Sequence, residues 1–303
     1  MKLGILAILL IPLANANADT FGGGAFTMDF VTIGDVDNVG YDDGILKVKS
    51  QGSVGYTYRM GVHEVSRGMI EAYNSLSGGP TLTMIDMSSK GGNGANRPAL
   101  GLSWNEAARF VNWLNTSQGY SAAYKFTTDG YNDNIEVWTP ENDGYDEANP
   151  FRNANAHYFL PDHDEWLKAA FYDPKADSAV VGYWKFPTGS NTVPRPVASG
   201  TDRNTAVYGQ DKTGPADITN AGGLSAYGTM AQGGNVDEWL ESVTYTHDDR
   251  SIGDPTAPRM VAGGSWNGLS RYFEGVTQCA GNAVVTEEGL YGFRVAATVS
   301  ASE

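Results

Sequence analysis

One cysteine, Cys279, occurs in 303 residues. So thiol-poor a chain holds together without an internal disulfide, and the count excludes cysteine-rich zinc sites and any mechanism using two thiols of one chain. Positive charge is also scarce: 20 Lys and Arg against 35 Asp and Glu leave a formal net charge of −15. A surface of that sign repels phosphate backbones and anionic headgroups, so nucleic acid and anionic lipid are not expected partners. Divalent cations and carbohydrate remain compatible with it. Long apolar runs are missing apart from Leu3 to Leu13 in MKLGILAILLIPLANANADT, too short for the roughly 20 residues of a membrane span. With Lys2 before it and Ala16-Asn17-Ala18 after it, this run reads as a secretory signal peptide over 1–18. The expected mature chain starts at Asp19, is secreted or periplasmic, and inserts in no membrane.

What is abundant is Gly, Asn, Asp, Ser and Thr, with short periodic stretches between them, so many loops surround a modest set of strands and helices. Residues 19–57 read as a strand-rich beginning, in which FTMDFVTIGD and ILKVKS are Val/Ile/Thr-rich, and VGYTYRMGVHEV follows in the same style. Three helices announce their starts. Ser66 is a natural N-cap, with Val65 and Ile70 placed as a hydrophobic staple. Ser103 and Glu106 form a capping box before Ala107, Phe110, Val111 and Leu114 at helical spacing, and Gly119 stops the run. Asp162 and Glu165 repeat the box, Trp166 and Ala170 share a face, and Pro174 forbids continuation.

Between the second and third helices, 129–149 is an acidic insertion with room for two short strands. Its spacing fails the twelve-residue calcium-loop pattern, so a solvated insertion is the expectation. GYWKFPTGSNTVPRP is punctuated by proline and expected to be irregular.

Six phrases, YRMGVHEVSRGMIEAYN (58–74), RPALGLSWNEAARFVNWLN (97–115), RNANAHYFLPDHDEWLKAAFY (152–172), YGTMAQGGNVDEW (227–239), MVAGGSW (260–266) and LYGFRVA (290–296), follow one another along the chain. In this order they resemble the formylglycine-generating enzyme family, also called the sulfatase-modifying factor family, and most closely its secreted bacterial members. The resemblance implies one α+β domain over 19–303 with a C-type-lectin-like fold, little regular secondary structure and structural calcium ions.

The enzymes that name the family oxidise a substrate cysteine with copper held between two cysteines just after the GGS phrase, and soft thiolates suit copper(I). Alignment on Gly263-Gly264-Ser265 puts Gly268 and Phe273 at those positions, and neither binds a metal. Cys279 follows without a partner and reads as a small buried hydrophobe. Copper, and with it formylglycine generation, is not expected. Other branches hold iron through histidines, but His63, His157, His163 and His247 show no ligand spacing, and the loop cluster His247-Asp248-Asp249 is expected to face water.

The resemblance also implies a calcium ion held by the carbonyls of Gly234 and Val236 and the carboxylate of Glu238. Ala231 replaces the side-chain ligand that precedes this motif in the family. The competing reading makes Gly233-Gly234-Asn235 a tight turn, Glu238 a cap and Trp239 a core anchor.

Family arginines are replaced by Ala262, Glu274 and Gln278, removing planar hydrogen-bond forks from the C-terminal face. The segment holds Trp266, Asn267, Ser270, Arg271, Tyr272 and Glu274 instead, and aromatics beside adaptable polar groups are the composition of recognition surfaces. In some relatives this segment is the exposed ligand-binding face. The alternative is that Trp266 and Phe273 are simply core, and for Trp266 core is the preferred reading. The expectation is a noncatalytic extracellular binding module presenting 266–288, with the 129–149 insertion as a second candidate surface, to a glycan, a protein or an envelope component. The alternatives are a formylglycine-generating-type oxidoreductase or other metal-dependent enzyme, and a structural protein of the cell surface.

Overall fold

A computed structural model describes residues 17–42, 50–127, 135–176, 182–244, 254–275 and 279–299, without the side chains of Cys279 and Ala280. Most of the proposed signal peptide, the strand candidate ILKVKS apart from Ser50, the His247 cluster and Gln278 lie outside the described residues.

The elements are short, as the Gly- and Asx-rich composition requires. In chain order they are β1 (Asn17–Phe21), β2 (Phe26–Ile33), β3 (Tyr58–Gly61), α1 (Arg67–Leu76), α2 (Trp104–Ser117), β4 (Lys125–Phe126), β5 (Ile135–Glu136), β6 (Tyr158–Phe159), α3 (His163–Phe171), β7 (Arg195–Pro196) and β8 (Thr205–Ala206). There follow β9 (Asp237–Val243), β10 (Arg259–Ala262), a 3-10 turn at Ser270–Phe273, β11 (Cys279–Asn282), β12 (Tyr291–Gly292) and β13 (Ala296–Thr298). One sheet runs β1-β2-β3-β13-β6 and brings the two ends of the domain together, with Ala296 opposite Met60 and Phe159. A second runs β11-β10-β9-β12, in which β9 and β12 are parallel and the other neighbours antiparallel. Two-stranded pairs β4-β5 and β7-β8 complete it.

All three helix starts form as their sequences dictate. Ser66, Ser103 and Asp162 accept from the backbone N–H three residues on, and Glu106 and Glu165 return the bond. At α1 the third residue is Met69, and its thioether sulfur takes the place of a carboxylate. Gly119, at φ +83°, ends α2. On β2, Met28 and Phe30 join the main core over α2, whereas Val31 and Ile33 pack with Tyr58, Met60 and Ala296 in another. Two indoles clamp the second sheet to the start of α2: Trp104 Nε1 donates to the Leu240 carbonyl and Trp239 Nε1 to that of Leu102, each at 2.9 Å. Trp239 is thus the core anchor expected of it.

The acidic insertion is not simply solvated. Its described part is stitched to the body: β5 pairs with β4, Ile135 is buried, and Asn149 Nδ2 donates to Glu241 Oε1 at 2.6 Å. The buried Glu241 carboxylate accepts this donor, and that long-range partnership leaves no periodic signal in sequence.

Candidate functional site

Two turns built on left-handed residues lie back to back. Gly234 (φ +90°) and Asn235 (φ +60°) form one, and Gly263 (φ +102°) and Gly264 (φ +66°) the other. Gly234 N–H donates to the Gly263 carbonyl and Trp266 N–H to the Asn235 carbonyl, both at 2.8 Å. The Asn235 side chain is used at both ends, Oδ1 accepting from Ala216 N–H at 2.8 Å and Nδ2 donating to Glu64 Oε2 at 2.6 Å. A side chain at Gly234 would place its Cβ 2.4 Å from the Val207 carbonyl oxygen, so the turn admits only glycine.

Beneath this pair of turns, where the family resemblance places copper-binding sulfur, lies the ring of Phe273. It is buried edge-on against Tyr208 and Phe186, with centroids 5.3 and 6.3 Å away. A Cβ at Gly233 would meet it at 3.0 Å and one at Gly264 at 3.3 Å, so both glycines are needed to seat the ring. Gly268, the other aligned position, donates its N–H to the Ser265 carbonyl within the same turn.

The candidate ligand-contacting residues divide. Trp266 is a core residue, buried with Met87, Leu100 and Val207 beneath the Lys90 ammonium. That agrees with its core reading and takes it out of the contact set; its backbone is tied down on both sides, by Asn235 and Gln210. Asn267, Arg271 and Tyr272 are exposed and Ser270 is half-buried. Leu269, which sequence reasoning passed over, is 51% exposed beside them. The Arg271 guanidinium stands 5.0 Å from the Tyr272 ring centroid. Glu274 pairs with Lys185 at 2.7 Å.

Glu238 does not fit the role of a calcium ligand. It is fully buried, and both carboxylate oxygens are claimed: Arg294 Nη2 donates to Oε1 at 2.5 Å, and Arg294 Nε and Trp166 Nε1 donate to Oε2 at 2.7 and 2.6 Å. The guanidinium also donates to the carbonyls of Gly61, Val62 and Met230. A fixed positive charge on the carboxylate repels a divalent ion instead of recruiting one. Arg294 thus occupies both oxygens of the Glu238 carboxylate and cross-links β9 to the β3 end. Its phrase, GFRVA, was visible in sequence, but its partners lie 56 to 233 positions away.

Two carboxyls beside this pair are perturbed. Burial, reinforced by the charge of Glu238, drives the Glu64 carboxyl well above the ordinary carboxylate range against the pull of Arg294, Asn235 and the Val236 amide. Burial pushes Asp237 up to about 6, opposed by hydrogen bonds from Ser265 and the Gly264 amide. A second buried network surrounds Arg152, which bonds Glu165 and Glu241 and covers the Phe159 ring at 3.9 Å. Neither Glu64 nor Arg152 stood out in sequence, because each is one polar residue inside a phrase that reads as core. Among the described residues, no three His, Cys, Asp or Glu side chains are grouped to hold a metal ion.

The fold, with its turns and short sheets, defines a class: the C-type-lectin-like architecture of formylglycine-generating-enzyme-like proteins. The family model for the sulfatase-modifying factor enzyme 1-like domain matches residues 23–299, and the chain belongs to that family. Among solved structures it is similar to variable protein 1 of Treponema denticola, at 20% identity and a TM-score of 0.61 over 93% of this chain and 99% of that one. It is similar also to CarF, at 18% identity and 0.57 over 90% and 99% of the two chains, and to PvdO from Pseudomonas aeruginosa, at 13% and 0.54 over 94% and 98%. A comparison with curated proteins gave no match.

Proposed function

We propose that this protein is an exported, noncatalytic member of its family, a binding module that presents the rim at 267–274 to a glycan, protein or envelope component. The observation that supports this most is the Phe273 ring packed under Gly233 and Gly264. Where copper chemistry needs two sulfurs, an aromatic ring completes a hydrophobic cluster with Phe186 and Ala206. Above it the same turn holds out Leu269, Arg271 and Tyr272, rigid contact area with one fixed charge, on a segment whose backbone is anchored by buried neighbours.

Two measurements test it. In a Cu(I) titration against a chromophoric chelator, the metal stays with the chelator; transfer of one equivalent to the protein overturns the noncatalytic reading. On a glycan array and against purified envelope fractions, binding by the mature chain is lost in Arg271→Ala and Tyr272→Ala at unchanged melting temperature. Binding that both variants retain removes the rim from the account.

A further inference from the structure

A cavity of about 360 Å³ opens between β2, the segment from His63 to Met69, and the loops at 95–96 and 218–219. It shares no lining residue with the 267–274 rim. Its polar wall is made by Thr27, Asp29, His63, Glu64, Asn96 and Thr219, and Phe26, Met69 and Ile218 give it apolar surface. Most of these groups are short and sit at the rim, but Glu64 is only 1% exposed. One of its oxygens is held by Asn235, and the other, Oε1, has no hydrogen-bond partner. A buried polar atom left unsatisfied beside a cavity is costly, and a bound hydroxyl that reaches it relieves that cost.

The chemistry of the wall narrows the ligand. Burial and the nearby Arg294 charge bring the His63 imidazole down to about 4, against the pull of Asp29, so the ring is neutral near pH 7. It then offers one donor and one acceptor. Burial drives the Glu64 carboxyl well above the ordinary carboxylate range, which favours its protonated form, and in that form it offers the same pair. Hydroxyls from Thr27 and Thr219 and the Asn96 amide add mixed donors and acceptors. The one carboxylate left is Asp29, exposed at the edge. A wall of paired donors and acceptors beside a small apolar face suits a ring bearing several hydroxyls, and a charged group has no counter-ion within except Asp29. The volume lies at the low end of small-molecule sites, about 300–1,000 Å³. The acids do not form a cation cage, since no three metal-ligating side chains are grouped among the described residues.

We propose that this cavity is a second binding site, taking a neutral polyhydroxylated ligand of monosaccharide size whose hydroxyls engage Asn96, Thr27 and the unsatisfied oxygen of Glu64.

The test is saturation-transfer NMR on the mature chain with glucose, galactose, mannose and N-acetylglucosamine, and with glucuronate as the anionic comparator. At least one neutral sugar receives saturation on its ring protons at millimolar concentration, and glucuronate, repelled by Asp29, receives less. Thr27→Trp, which fills the mouth, and Asn96→Ala, which removes one bond, each weaken binding at least about fivefold. Both positions are exposed, so the melting temperature stays constant. Arg271→Ala and Tyr272→Ala leave this signal unchanged, which separates the site from the rim. Absence of saturation from every sugar, equal binding by both cavity variants, or preference for glucuronate overturns the proposal.

Discussion

Replacing Glu238 by Gln separates a structural carboxylate from a metal-binding one. The substitution keeps the volume and an oxygen for Trp166 but removes the charge that faces Arg294, itself fully buried. Breaking a buried pair by neutralising one partner costs about 3–5 kcal/mol, because the remaining ion is left uncompensated. Arg294 retains the carbonyls of Gly61, Val62 and Met230 as acceptors, so the lower end, about 3 kcal/mol, applies. For a domain of this size that corresponds to a fall in melting temperature of about 6–12 °C. The assay is thermal unfolding followed by circular dichroism, run in EDTA and again in millimolar calcium. The same loss appears in both buffers, and in a double-mutant cycle with Arg294→Met the two effects are coupled by about 2 kcal/mol or more. A loss below about 1 kcal/mol refutes the ion-pair reasoning. So does a loss present in calcium and absent in EDTA, which would restore Glu238 as a metal ligand.

Other substitutions probe the turn and its rim. Phe273→Ala costs about 3–5 kcal/mol in urea unfolding because the ring is core, while the neighbouring Tyr272→Ala stays within about 0.5 kcal/mol. Gly264→Ala forces a Cβ into a φ of +66° and to 3.0 Å from the Tyr272 Cβ, and costs about 1–3 kcal/mol by the same measurement. The raised carboxyl of Asp237 makes the native state bind more protons than the unfolded chain between its unfolded value, near 4, and about 6. Its contribution to stability is complete below the lower value and lost as pH rises through about 6. Asp237→Asn removes that decline from a plot of unfolding free energy against pH.

The sequence carried the local parts of this structure well. Capping boxes at Ser103 and Asp162, the staple residues Val65 and Ile70, and the stop at Gly119 each depend on a few neighbouring residues, and all are seen in the fold. The exposure of Arg271 and Tyr272 agrees with reading that segment as a surface, and Trp266 turns inward as its core reading has it, which removes it from the candidate contact residues. Glu238 stood between two readings in the sequence, a calcium ligand and a cap, and neither names the charged partner it has in the fold. That partner is Arg294, 56 residues on, and a pairing across that distance leaves no spacing to detect. The Glu64 cavity was invisible for a similar reason: its walls come from four separate stretches of chain.

Turnover of a cysteine-containing peptide, followed by mass spectrometry after the purified protein is supplied with copper, reductant and oxygen, tests the central claim most directly. The account predicts no aldehyde above a control lacking protein, because the turn that would hold the metal is closed by Phe273. Protein-dependent conversion of the cysteine to its aldehyde would contradict it.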